Sequence, residues 1–178
     1  MKKITVREIM KLGPCYTKEQ VKNLIGEGKT PLEILDLPIS KSDKFWLLLR
    51  SDYIPIKQLH ILACDFAQEV AYLNSDPSVQ AAIDSKRLWV DNKITDEELK
   101  KASDAAWAVY VRAAPWAAAK AAADAARAAS CDANADWAAW AAARAAAWAA
   151  VAAAWAADVE TKQIEMVRKV FIDMGITK

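Results

Sequence analysis

The stretch WAAWAAARAAAWAAVAAAW, residues 137–155, decides the fold class. Its large side chains are Trp137, Trp140, Arg144, Trp148, Val151 and Trp155, at spacings of 3, 4, 4, 3 and 4. At roughly 100° per residue these six fall within about 80° of arc, so they form one stripe on an α-helix. The pattern repeats every eleven residues, close to the natural helical period, so the stripe needs little supercoiling. Everything between is alanine, the strongest helix former. Alanine flanks let neighbouring helices approach near the lower end of the usual ~8–10 Å separation, and tryptophan fills the volume that alanine leaves.

The alanine-rich composition extends beyond this stripe. From Ala102 to Ala157, 33 of 56 residues are alanine, and six of the eight tryptophans fall there. Thr95-Asp96-Glu97-Glu98 is a strong helix start, and nothing stops that helix before about Ser130. Pro115 lies inside it and predicts a kink, because proline removes one hydrogen bond and clashes with the carbonyl of Val111. Ser130-Cys131-Asp132-Ala133-Asn134 is the one credible turn. The helix after it runs past Asp158 towards Asp173, with Gly175 beyond its end. A short link between long helices favours an antiparallel hairpin. Burying alanine gives little hydrophobic stabilisation, which scales with apolar area. The hairpin is therefore expected to pack on the N-terminal helices, on a second copy of the chain, or on both.

Upstream, the chain reads as short punctuated helices. Thr5-Val6-Arg7-Glu8 and Thr17-Lys18-Glu19-Gln20 are capping boxes. Gly13-Pro14 and then Gly26 and Gly28 end the helices that follow them. Thr30-Pro31-Leu32-Glu33 starts a third, with proline at its first position. Ser40 or Ser42 opens a helix carrying Phe45, Trp46, Leu48 and Leu49. Pro55 starts a longer one, with Ile56, Leu59, Ala63, Phe66, Val70 and Leu73 as its core stripe. Asp76-Pro77 begins another that reaches about Val90. No segment alternates convincingly as a strand. The expected fold is all-α: an N-terminal bundle of short helices over residues 1–94, then a long Ala/Trp-rich antiparallel hairpin over 95–178. The two are expected to form a single structural unit that associates with further copies.

Composition excludes several functions. The 178 residues carry 24 basic and 23 acidic side chains, a net charge of +1. That balance argues against a dedicated duplex-DNA binder, which shows a basic excess. Cys15, Cys64 and Cys131 are odd in number and form no CxxC pair, so they read as reduced thiols of a cytoplasmic protein. Arg7, Glu8 and Lys11 interrupt any apolar run of a signal peptide. Arg144 sits in the one alanine stretch that resembles a membrane span, where it would cost roughly 2.5–3.5 kcal/mol. No membrane partner is expected.

No catalytic residues, cofactor or metal site emerge. His60 is the single histidine, with Cys64 four residues on and Asp65 and Glu69 nearby. Zinc needs three or four ligands, and a Cys–His nucleophile pair needs an orienting group. The bland alternative is a helix flank with a buried cysteine. Gly26-Glu27-Gly28-Lys29-Thr30 ends like a phosphate loop but lacks the first glycine and the preceding strand, so it reads as a turn and a helix cap.

The candidate ligand-binding residues are Arg112, Trp116, Lys120, Arg127, Trp140, Arg144 and Trp148. Arg112, Trp116, Lys120 and Arg127 share one broad face of their helix, with Trp107, Tyr110 and Val111 roughly opposite. Arg144 interrupts the tryptophan stripe, and a guanidinium among indoles needs an acid, a cation–π contact or a bound anion. The functional reading is a pocket that stacks a planar ring on tryptophan and holds phosphate or carboxylate with cations. The structural alternative is a solvated face, with Lys120 and Asp124 as a four-apart ion pair and Arg144 satisfied by Asp104 or Asp136.

Lys44-Phe45-Trp46-Leu47-Leu48-Leu49-Arg50, then Leu59-His60-Ile61-Leu62-Ala63-Cys64-Asp65-Phe66-Ala67, then the alanine-rich tail, resemble a loosely defined group of bacterial and phage proteins, some of them labelled immunity proteins. The resemblance covers most of the chain. It implies a setting of conflict between bacteria and phages or rival cells, and a role in binding. It carries over no catalytic residues. The expected function is non-catalytic: sequestration of a small anionic, nucleotide-like immune signal between Trp/Arg-lined helices. The alternatives are an immunity protein that occludes a toxin, and a purely structural helical oligomer. The expected location is the cytoplasm of a bacterium or phage-infected cell.

Overall fold

A computed structural model describes residues 3–112 and 156–176, with single positions at 141 and 145. Side chains are described outside 110–112 and 156–160. Among the described residues all regular structure is helical: α1 (Val6–Lys11), α2 (Lys18–Ile25), α3 (Pro31–Leu35), α4 (Lys41–Leu48), α5 (Ile56–Ala71), α6 (Pro77–Val90), α7 (Asp96–Arg112) and α8 (Ala156–Asp173). The chain is all-α, as its patterning predicts. None of the described helices is long and apolar enough to cross a membrane. The Pro115 kink, the turn at residues 130–134 and the stripe at 137–155 lie outside the described residues.

The chain divides into two compact units, Met1–Leu48 with Ile164–Lys178, and Leu49–Gln163. The composition boundary at residues 94 and 95 marks a different feature, the start of α7. The hairpin expected on its C-terminal side falls largely outside the described residues.

The first unit is built from helices too short to persist alone. Thr5, Thr17 and Thr30 each accept a hydrogen bond from the backbone N–H three residues on, while Glu8, Gln20 and Glu33 reach back to the threonine N–H. Glu33 is thereby held below the usual carboxylate range, first by the Thr30 backbone N–H and then by its hydroxyl. Ser40 caps α4, accepting from the Asp43 N–H at 3.0 Å. Ile9, Val21, Ile25, Leu32, Ile34, Phe45 and Leu48 form the core with Val167 and Phe171 of α8. Arg168 of α8 donates to Asp36 at 2.8 Å, linking residues far apart in sequence.

One short extended contact clamps this unit. Ile4 and Lys29 form an isolated antiparallel bridge, with N···O distances of 2.8 and 3.1 Å. Sequence patterning contains no strand, and a single bridge leaves no alternation to read. The bridge explains Gly28, whose φ of +133° is open to glycine and strained for other residues. The Gly26–Thr30 stretch is indeed a turn and a cap: Gly26 ends α2 and Thr30 starts α3.

The second unit centres on α5. Leu59, Ala63, Phe66 and Val70 are buried as its periodicity predicts, and Leu62, Cys64 and Ala67 are buried too. Burial on more than one stripe makes α5 an interior helix of its unit. Ile56 and Leu73 depart from the predicted stripe: Ile56, the first helical residue, is 58% exposed, and Leu73 lies past the end of α5 and is only half-buried. Helix α6 packs on both α5 and α7. Its end is closed by Asn92 in the left-handed conformation, with the Lys93 N–H donating to the Leu88 carbonyl at 2.8 Å. A Thr95–Glu98 capping box then starts α7.

Gly28→Ala is expected to destabilise the protein by about 1–3 kcal/mol. It adds backbone strain and places a Cβ 3.1 Å from the Ile4 carbonyl oxygen. Urea unfolding should show a lower midpoint at unchanged slope.

Candidate functional site

The chemically richest cluster among the described residues sits where α5 meets α6. Helix α6 buries Val79, Ala82, Ile83 and Lys86. The spacing is that of an ordinary apolar stripe, with a lysine in its fourth place. Lys86 is fully buried, and its ammonium lies 3.8 Å from the Trp89 ring centroid. An indole face attracts a cation through its quadrupole, by up to about 2 kcal/mol or more when the pair is desolvated. Trp89 is in turn held by its N–H, which donates to Asp96 at 2.6 Å.

His60 of α5 meets the same indole edge-on, at 5.2 Å between centroids and 90° between planes. It is buried, and its Nδ1 has no hydrogen-bond partner among the described residues. Burial, assisted by the charge on Lys86, lowers its pKa from 6.5 to about 4. The imidazole is therefore neutral near pH 7. Cys64 is also fully buried, and its thiol donates to the Ile83 carbonyl at 3.9 Å. Burial pushes its pKa up to about 11, against an opposing pull from Arg87. Arg87 pairs with Asp65 at 3.0 Å on the outer side. Burial raises Asp65, and Arg87 offsets part of that rise.

This arrangement is chemically quiet. A nucleophilic cysteine needs its thiolate, and this thiol stays protonated. A general base must reach the proton it removes, and the Cys64 thiol is bonded to a main-chain carbonyl. Among the described residues no group of three His, Cys, Asp or Glu side chains is placed to hold a metal. The bland reading of His60 and Cys64 fits this geometry. Sequence reasoning passed over Lys86, whose signal was a lysine in phase with an apolar stripe.

A second polar feature lies in the first unit. A groove of about 780 Å³ is lined by Lys3, Arg7, Lys11, Lys18 and Lys22, with Glu8 and Glu27. Its cations come from α1, α2 and the residue before the Ile4 bridge, so they share no single helix face.

Neither feature is described through the residues chosen from sequence. Trp116, Lys120, Arg127, Trp140, Arg144 and Trp148 lie outside the described residues. Arg112 ends α7, with its backbone described and its side chain not. Trp107, the one tryptophan of the alanine-rich segment whose side chain is described, is 45% exposed. Asp104, offered as an internal partner for Arg144, has Lys100 at 2.7 Å. Comparison with protein-family models, curated proteins and solved structures finds no match to this chain.

Two measurements check the sealed cluster. For His60 the folded pKa lies below the unfolded one, so protons favour unfolding. Its contribution is fully present above about pH 6.5 and is lost as pH falls towards 4. The linked free energy is on the order of 2–3 kcal/mol. His60→Gln should flatten the stability–pH curve in this window relative to the parent chain. In a Cys131→Ser background, Cys15, which is exposed, should react with a thiol reagent in the native state, and Cys64 only after denaturation.

Proposed function

We propose that this chain is a non-catalytic binding protein of bacteria–phage conflict that sequesters a small anionic, nucleotide-like immune signal between helices bearing tryptophan and arginine. The carrying observation is the placement of Arg112, Lys120, Arg127 and Arg144 alongside Trp116, Trp140 and Trp148 in a segment otherwise almost all alanine. Alanine costs nothing to repeat in a helix, so each cation there departs from the local pattern. Indoles stack planar rings, and guanidinium forks match phosphate and carboxylate.

The described residues support this reading at two points. Arg144 would have to compete with Lys100 for Asp104, which weakens the internal ion-pair alternative. The sealed His60 and Cys64 favour binding over catalysis. The resemblance to bacterial and phage proteins supports the setting. Association with a second copy belongs to the same proposal, since extensive alanine faces gain too little from burial within one chain.

Tryptophan fluorescence and thermal shift against a panel of cyclic and linear nucleotides test it. A stacked ring should quench emission, since six of the eight tryptophans lie in this segment. Saturation at about a hundred times Kd should stabilise the fold by about 2.7 kcal/mol. Arg112→Ala and Arg144→Ala should each abolish the response. Silence across the panel would overturn the proposal and favour a protein partner.

A further inference from the structure

We propose that the groove between α1 and α2 is a second, independent anion site that takes a compact polyphosphate ligand, a small molecule carrying several phosphates in close succession.

Ion pairing is sparse in this groove. Elsewhere among the described residues many cations are matched, among them Lys57 with Asp91, Arg87 with Asp65, Lys162 with Glu69 and Arg168 with Asp36. In the groove, Arg7, Lys11, Lys18 and Lys22 are all exposed and form no ion pair among the described residues. Five cations face two carboxylates there, in a chain whose net charge is only +1. One of those carboxylates, Glu8, is already engaged by the Thr5 N–H at 2.8 Å and the Thr5 hydroxyl at 2.9 Å.

Part of the arrangement opposes the stability of its own helices, although Lys11 and Lys22 stand in last turns, where the dipole favours a cation. Arg7 and Lys11 stand four apart on α1, and Lys18 and Lys22 four apart on α2, helices of only six and eight residues. Like charges at this spacing each cost a helix about 0.2–0.5 kcal/mol. Lys18 also sits at the first residue of α2, where the helix dipole disfavours a cation. A bound polyanion reverses the sign of all three effects. The capping boxes and the Ile4–Lys29 bridge hold the walls in place without it.

Size and lining define the ligand. A volume of about 780 Å³ falls in the ~300–1,000 Å³ range of small-molecule sites. The lining has no aromatic side chain and one apolar one, Val6. Stacking of nucleobases therefore has no platform, and a protein partner finds no anchor residue. Four of the five cations are lysines, point charges that favour clustered phosphate over a single bidentate carboxylate. The two carboxylates in the lining disfavour a ligand of low charge.

Calorimetric titration of the full chain with inorganic tripolyphosphate tests the assignment, with orthophosphate and citrate as comparators. Tripolyphosphate should bind at least about tenfold tighter than either, and weaken about tenfold or more between about 50 and 200 mM salt. The triple variant Lys11→Gln, Lys18→Gln, Lys22→Gln should lose at least about tenfold in affinity while its melting temperature holds or rises. The charge-matched control Lys57→Gln, Lys93→Gln, Lys100→Gln should bind as the parent does. Equal binding of citrate, equal loss in the control, or no heat at low salt would each overturn the site. Tighter binding per phosphate by a single-stranded oligonucleotide would overturn the compact ligand in favour of a nucleic-acid strand. The groove contains no tryptophan, so its triple variant leaves nucleotide quenching intact, and either proposal can fail alone.

Discussion

A helix of five to eight residues cannot hold itself in water. Fixing its first turn costs more than one hydrogen bond returns, and isolated helices below about 12–15 residues are marginal. Helices α1 to α4 all fall in this range. Each is sustained from both sides of the problem. A threonine or serine cap removes orphan N–H groups at one end, and one or more apolar side chains enter a shared core. The Ile4–Lys29 bridge and the Arg168–Asp36 pair close the unit on segments that local structure alone would leave adrift. Without the caps the groove between α1 and α2 would have no fixed walls.

The second unit spends its unusual residues differently. Lys86 occupies a stripe position where a leucine would pack without cost. A buried ammonium is retained because the Trp89 face answers its charge, and that same indole meets His60. The consequence for His60 is electrostatic: desolvation and a neighbouring positive charge act in the same direction and keep the ring neutral. Cys64 is silenced by the mirror-image logic, since burial penalises the thiolate. Groups that would suggest chemistry in a list of residue types are thus internal packing elements here.

Two groups of cations underlie the proposals, and they differ in kind. The groove offers charge without aromatic surface, while the alanine-rich segment combines charge with indoles. Non-directional lysines suit a ligand defined by phosphate density; arginines among tryptophans suit one that also carries a planar ring. The near-zero net charge of the chain hides the groove, because excess carboxylates elsewhere offset it in the sum, and residues 102–157 are balanced in themselves, with four basic and four acidic side chains.

Local chemistry was readable in the sequence. The starts at Thr5, Thr17, Thr30, Asp76 and Thr95, the choice of Ser40 or Ser42 for α4, the stops at Gly13 and Gly26, and the middle of the α5 stripe all depend on residues three or four positions apart, so they survive translation from string to helix. The all-α class follows from the same short-range rules. Tertiary structure alone decided the rest. Lys86 became a cation–π partner because α6 turns that residue inward. Gly28 became necessary because Ile4 crosses it. Lys3, Arg7, Lys11, Lys18 and Lys22 became one groove because the turn after α1 brings two cationic helix faces together. Each of these depends on which surfaces meet, and that is set by the burial of apolar area across the whole unit rather than by any neighbouring residue.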